Sequence, residues 1–530
     1  MQRTLRVCVV LALVWTGCKD PKGDSGAAKQ GSVDTSSVAL ATFEPPSIDP
    51  GKLADSVGAN IAGDLFEGLV TRAADGTPVP GAASSWTRSD DGLVWTFVLR
   101  PDLKWSDGTP LGSADFEWSL KRALQKETGN SNAPMLWPIK EAEAFNKGDQ
   151  TDWKAVGVAA SENTIAITLE RPYPSLLKLL ATAYALPQPR HVVEQHGTQW
   201  TRPEHIVSNG AYVLAEHKAG QRMSLKKNPR FHAHEHVRLK TATIRFTKDD
   251  TTAHQWYQLG EIDWSVGLIP AEALEAMLRD NAPELRVDDF AGVFLLYLNA
   301  EKAPFDDVRV RRAIDLALDR GKLVRQVLTA GQRPATSIIP PQMTAAKPPR
   351  RGRYDTDAAR KLLAEAGFGP SNPLPEVELV FNTNERLKTI AEFIARDLQD
   401  SIGLKIVIRN MDWKSFLQEL GAPGYQMGLL AMGGFDAVDF MQLVRGDSPD
   451  NRARWKSAEY DALIEKARRA PDTAALDTVM TDAMALLDRE MPLLPVYRMT
   501  RTTLLRPGLA GYEATSDNIH PLRWLRWETK

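Results

Sequence analysis

ERLKTIAEFIARDLQDSIGLKIVI, residues 385–408, decides the fold class: a helical stretch over about 385–401 runs into the strand Leu404-Lys405-Ile406-Val407-Ile408. A helix feeding a strand implies an open sheet with helices on its faces. The pattern recurs upstream. A second helix is predicted over about 356–366, with Leu362 and Leu363 inward and Gly367 placed for a left-handed C-cap. Asp306 or Asp307 caps another, whose apolar positions Val310, Ala313, Ile314, Ala317 and Leu318 recur at helical spacing and leave Arg309, Arg311 and Arg312 in water. Residues 94–99 and 164–169 are strands by β-branched and aromatic content, and Ser106-Asp107-Gly108-Thr109-Pro110 between them has turn chemistry. The chain is therefore α/β rather than a bundle or a sandwich. No repeat with a period of roughly 20 to 50 residues interrupts it. The segments Ile339-Pro340-Pro341 and Lys347-Pro348-Pro349 read as surface loops.

With 530 residues, 43% hydrophobic and 25% charged, the chain is long enough for two or three cores of domain size. Its formal net charge of -2 supplies no basic stripe for nucleic acid or an anionic membrane. Arg3 and Arg6 precede an apolar run over 7–15, too short to cross a bilayer and suited to a signal peptide over 1–17. The run ends in Trp15-Thr16-Gly17-Cys18, which resembles the lipobox of bacterial lipoproteins with Trp15 in place of the usual Leu. That resemblance implies lipid attachment at Cys18, a membrane-anchored lipoprotein and a location in the periplasm or cell envelope. Cys8 lies in the segment that would be removed, so no disulfide is expected in the mature chain. Residues 18–37, rich in Lys, Asp, Gly and Ser, read as a flexible tether.

Enzyme signatures are weak. There is no G-x-S-x-G elbow, H-E-x-x-H zinc helix, P-loop or G-x-G-x-x-G. His232-Ala233-His234-Glu235-His236 could place imidazoles on one side of a strand. The turn-forming stretch before it favours a solvated loop instead, so neither metal nor cofactor is expected. Asp436 and Asp439 could serve as paired carboxylates of a glycosidase. They suit an ammonium-binding role better in their Gly-rich surroundings.

Several stretches together resemble the oligopeptide- and dipeptide-binding proteins of ABC importers, solute-binding protein family 5. They include Glu44-Pro45-Pro46-Ser47-Ile48-Asp49-Pro50, Leu65-Phe66-Glu67-Gly68-Leu69, Lys104-Trp105-Ser106-Asp107-Gly108, Ser208-Asn209-Gly210-Ala211-Tyr212, Pro304-Phe305-Asp306-Asp307-Val308-Arg309 and Glu459-Tyr460-Asp461-Ala462-Leu463. Each is short, and they follow one another in the family's order over nearly the whole mature chain.

The resemblance implies a two-lobed periplasmic-binding-protein-like (class II) fold with an extra domain inserted in the first lobe. Lobe I would combine 38–56, 185–291 and 497–530; the inserted domain would be 57–184 and lobe II 292–496. It implies a non-enzymatic receptor that takes a peptide as an added strand in the inter-lobe cleft and delivers it unchanged to a permease complex in the inner membrane. A monomer is expected, with no nucleic-acid partner. Glu44 matches a residue of the opening strand, Trp413 a cleft tryptophan, and Tyr497 falls in a crossing segment.

In peptide-binding members an aspartate after a Gly-Trp pair meets the ligand's α-ammonium group, a strong bond in a closed cleft. Here the Gly-Trp positions hold Ala431 and Met432, and the aspartate position holds Phe435. Asp436 stands one place later, and Asp439 takes the role if Gly434-Phe435 substitutes for Gly-Trp, so the candidate segment comprises Met432, Gly433, Gly434, Phe435, Asp436 and Asp439. Leucines occupy 387 and 420, where some members carry His and Arg for ligand carboxylates. Two alternatives stay open: the same fold binding a metal chelate, sugar or amino-acid derivative, and an exported hydrolase using Asp436 and Asp439.

Overall fold

The structure, a computed structural model, describes residues 34–346, 354–434, 436–448, 450–470 and 472–528, together with the backbone but not the side chain of Asp439. Everything below lies in the compact unit Ser36–Lys530. The proposed signal peptide, Cys18, most of the tether and the Lys347-Pro348-Pro349 segment fall outside the described residues.

One mixed sheet of eleven strands organises the unit. In chain order these are β1 (Ser37–Thr42), β2 (Tyr212–Lys218), β3 (Arg222–Lys227), β4 (Thr241–Phe246), β5 (Trp264–Val266), β6 (Leu285–Leu298), β7 (Arg333–Pro334), β8 (Val377–Asn382), β9 (Ile406–Met411), β10 (Met427–Gly433) and β11 (Leu493–Leu505). They lie in the order β9-β8-β10-β6-β11-β5-β1-β4-β3-β2, with β7 beside β11. β6 and β11 have 14 and 13 residues, about twice the usual strand length of ~5–6, because they serve both halves of the sheet.

These two strands pair antiparallel but not in one register. Asp289 faces Thr500 and Val293 faces Arg498, so Phe290, Ala291 and Gly292 stand opposite Met499 alone. Gly292 suits the close approach there, since a Cβ would sit 2.7 Å from the Met499 sulfur and force that side chain to move. A second irregularity follows: Phe294 pairs with Tyr497 but Leu295 with Pro495, leaving Val496 extra. Bulges of this kind bend a strand and re-aim its side chains. Here Val496 and Tyr497 come to the same face, and Tyr497 stacks on Phe294 at 4.8 Å.

Beyond the irregularities the strands alternate as a sheet covered on both faces should. Val293, Leu295 and Tyr297 join one core beneath helices Trp413–Gly421, Ala458–Arg468 and Thr473–Glu490. Phe294, Leu296 and Leu298 join another beneath Val308–Ala317, Thr356–Glu365 and Glu385–Ile402. On the other half of the sheet, Ala41 and Leu504 pack against helices Asp250–Gln258 and Ala271–Asp280. Val38 and Leu40 face the remaining core. That core continues into a separate four-stranded antiparallel sheet, Ala83–Arg88, Val94–Leu99, Thr164–Thr168 and Val158–Ser161 in spatial order, through Trp95, Phe97, Ile165 and Ile167.

The opening stretch folds as read. The helix spans Glu385–Ile402, Asn384 caps it by accepting from Leu387 N at 3.2 Å, and Gly403 ends it at φ +74. Gly367 adopts φ +90, and Asp307 rather than Asp306 supplies the side-chain cap of Val308–Ala317. One expectation fails. Arg309 and Arg312 are exposed, but Arg311 is only 3% exposed. Its guanidinium donates to the carbonyls of Glu490, Met491 and Phe305 at 2.6–3.2 Å, covering acceptors that the end of Thr473–Glu490 leaves without helical partners.

Candidate functional site

The waist of the long strands is where the chain's ends and halves meet. Asp289 Oδ2 accepts from Arg498 at 2.8 Å and from Arg333 at 3.3 Å. The Tyr512 hydroxyl donates to Asp288 at 2.5 Å, and the Arg501 guanidinium lies 4.7 Å over the Phe290 ring. Burial holds the Asp288 carboxyl above the usual carboxylate range despite that hydroxyl. Ala291 donates its N–H to Ser516 O at 2.6 Å, and its carbonyl accepts from Gly434 N at 3.3 Å. The end of β10 is thereby tied to the bulge.

From there two cavities open, each walled by both halves of the molecule. The larger, about 320 Å³, is lined by Arg72, Gly76, Lys178, Met343, Gly434 and Asp517. Arg72 pairs with Asp517 at 2.5 Å and donates to Ala181 O at 3.2 and 3.3 Å. The smaller, about 50 Å³, is lined by Arg171, Tyr173, Ser175, Asp436, Gln442 and Arg468. Asp436 is buried, and its Oδ1 accepts from Val438 N at 2.8 Å at the start of helix Ala437–Gln442. The sharp exit from β10 through Gly433 and Gly434 delivers this carboxylate into the gap.

The remaining predicted residues are dispersed. Met432 and Gly433 end β10 opposite Val293 and Gly292, beside the waist. Phe435 lies outside the described residues, as does the side chain of Asp439, whose backbone belongs to the short helix with Asp436 at its start. Glu44 lies beyond β1, where its carboxylate takes the His217 imidazole and the Gly220 N–H, both at 2.8 Å. Trp413 opens its helix with the indole 54% exposed, partly covering Phe416 at 5.9 Å. Tyr497 is 5% exposed in its stack on Phe294, and that burial pushes its phenol above the ordinary tyrosine range. Neither Glu44, Trp413 nor Tyr497 lines the two cavities.

Leu387 and Leu420 are core residues, so neither position offers a cation. Among the described residues no group of three or more His, Cys, Asp and Glu is arranged to hold a metal. His232 lies in an exposed turn, as expected, and its imidazole meets the buried Glu67 carboxylate at 2.6 Å, with Arg523 on the same carboxylate at 2.7 Å. Sequence reasoning missed Arg72, Arg171, Tyr173, Arg468 and Asp517. The visible signal for the middle of that set is Arg171-Pro172-Tyr173-Pro174, a rigid aromatic loop directly after a strand.

Comparison with known proteins completes the description. The oligopeptide-binding periplasmic protein OppA of Salmonella typhimurium is 32% identical over 492 residues, covering 90% of either chain. A probable deoxycholate-binding periplasmic protein, YgiS of Escherichia coli, is 31% identical over 482 residues, covering 88% of this chain and 89% of that protein. The murein tripeptide binding protein MppA in its unliganded open form superposes with a TM-score of 0.87 at 27% identity, covering 93% of this chain and 98% of that one. Haemophilus influenzae OppA in complex with the peptide RPPGFSPFR gives 0.69 at the same 27% identity, covering 93% and 99%. Equal identity with unequal superposition separates conformation from sequence, and this backbone follows the open form. The two-lobed periplasmic-binding fold is therefore shown, and members of such families are substrate-binding proteins of importers rather than enzymes, which removes the hydrolase reading. Residues 77–452 match the model of bacterial extracellular solute-binding proteins, family 5 (middle), and the chain belongs to that family.

Proposed function

We propose that this protein is the extracytoplasmic peptide receptor of an ABC importer, closing its lobes around a peptide and handing it on unaltered to the permease. The observation that carries the reading is Asp436, a buried carboxylate at the end of a sheet strand, lining a gap between two independently cored halves. A carboxylate so placed anchors a peptide's α-ammonium group, and water expelled on closure strengthens the bond. Similarity to an oligopeptide-binding protein over 90% of the chain supports the ligand class. The lobe division at 56/57, 184/185, 291/292 and 496/497 belongs to this proposal, supported by the long strands that cross at the waist. So do Glu44, Trp413 and Tyr497 as cleft residues, Asp439 as the alternative anchor, lipid attachment at Cys18 and action as a monomer.

The test is a melting screen with short peptides and their N-acetylated counterparts. A peptide at a hundred times its Kd should stabilise the protein by about 2.7 kcal/mol. Acetylation or Asp436→Asn should weaken binding at least tenfold; equal affinity for free and acetylated peptides would remove the anchor. A second reading, an apolar solute such as a bile acid, is supported by the deoxycholate-binding relative and by leucines at 387 and 420. It predicts stabilisation by deoxycholate and none by peptides.

A further inference from the structure

The small cavity beside Asp436 is lined by two arginines as well as by that carboxylate. Arg171 reaches it from the loop before Leu176, Leu179 and Leu180, which belong to the first-half core. Arg468 reaches it from the helix whose Tyr460, Ile464 and Ala467 belong to the second-half core. Two guanidiniums thus approach one space from opposite sides of the gap. Glu465 accepts from both Arg468 and Arg445 at 3.1 Å, and Asp447 meets Arg445 as well at 2.7 Å. Arg171 makes no hydrogen bond or ion pair with any described residue. Desolvation and the charge of Arg468 lower its pKa, against the opposing pull of Glu465 and Glu170.

Asp436 is the carboxylate among the described lining residues, and a ligand's ammonium group would engage it. With Asp436 engaged in that pair, drawing Arg171 and Arg468 together in a drying gap raises their repulsion. A carboxylate between them reverses the sign, since guanidiniums bind carboxylates through paired charge-assisted bonds. The cavity, about 50 Å³, is several times the ~10–15 Å³ that one water needs by the same measure, which leaves room for a carboxylate group. We propose that Arg171 and Arg468 form an anion clamp across the gap that takes the side-chain carboxylate of an acidic residue at the ligand's amino terminus, while Asp436 takes that residue's ammonium group. The clamp rests on the peptide-receptor reading and narrows it to peptides beginning with Asp or Glu.

Calorimetric titration of the full chain with Glu-Ala-Ala, Gln-Ala-Ala, Ala-Ala-Glu and inorganic phosphate tests it. Glu-Ala-Ala should bind at least tenfold tighter than Gln-Ala-Ala, and Ala-Ala-Glu should show no comparable gain. Arg171→Gln and Arg468→Gln should each reduce the Glu-to-Gln ratio below threefold, and Arg171→Lys should restore part of it. A ratio near one in the unsubstituted protein, or one that survives both Gln substitutions, overturns the clamp. Phosphate binding without a Glu-Ala-Ala advantage also overturns it, leaving an adventitious ion only. Binding of Gln-Ala-Ala with no preference sinks the clamp alone, whereas failure of every peptide sinks the receptor reading with it.

Discussion

The two long strands behave differently along their length. From Val293 to Leu298, and from Leu493 to Tyr497, they are buried and apolar, with helices over both faces. At the waist, Asp288 to Phe290 and Arg498 to Thr502 are half-exposed or exposed, and the contacts are ionic or aromatic. Close packing makes the buried ends stiff, because any bend there opens voids. Ion pairs near water tolerate small changes of angle at little cost. A change of angle therefore costs least at the waist.

The comparison breaks first at the buried end. Leu295→Ala removes a fully buried side chain and should cost about 3 kcal/mol in denaturant unfolding; a loss comparable with a waist substitution would erase the distinction. Next comes a fully buried carboxyl whose desolvation outweighs the nearby charge of Arg523. Asp64, whose Oδ1 accepts from Leu522 N at 2.8 Å, is pushed by burial to about 8. Its folded-state value lies above its unfolded one, so its contribution is complete below pH ~4 and lost as pH rises towards ~8. Melting temperature should therefore fall between pH 5 and 8.5, and Asp64→Asn should remove a share on the order of 2 kcal/mol; an unchanged slope refutes the assignment.

At the waist, Asp289→Asn should change stability by no more than ~1 kcal/mol, its partners being partly solvated. Because these ties are held in the open arrangement, loosening them should raise ligand affinity a few-fold by calorimetry. Unaltered affinity would make the waist a passive connector. The smallest effect belongs to Trp413→Ala, which should shift stability by less than ~0.5 kcal/mol for an indole that is mostly in water, while weakening ligand binding if the cleft assignment holds.

Much of the fold was readable where the signals are local. The 385–408 stretch, the Gly367 cap and the Asp307 cap all depend on residues within a few positions of one another. The failures are non-local. Helical spacing placed Arg311 in water, but the carbonyls it covers come from Glu490 and Met491. His232 lies in the exposed turn expected, but its partner Glu67 is far away in sequence and meets it only in the folded chain. At the site, the Asp436 segment was found through resemblance, whereas Arg171 and Arg468 come together only through the tertiary arrangement. Nothing in Asp288-Asp289-Phe290-Ala291-Gly292 announces a register shift except the glycine.

That shift carries a rule of parity. Four steps on β6 match two steps on β11 across the waist, and both are even, so inward side chains remain inward on either side. Shortening the 290–292 segment by one residue would turn the rest of β6 inside out and abolish folding. Removing two would keep every face correct and leave only the irregularity at Val496: a protein that folds, looks intact by circular dichroism, and has lost the bulge at its waist.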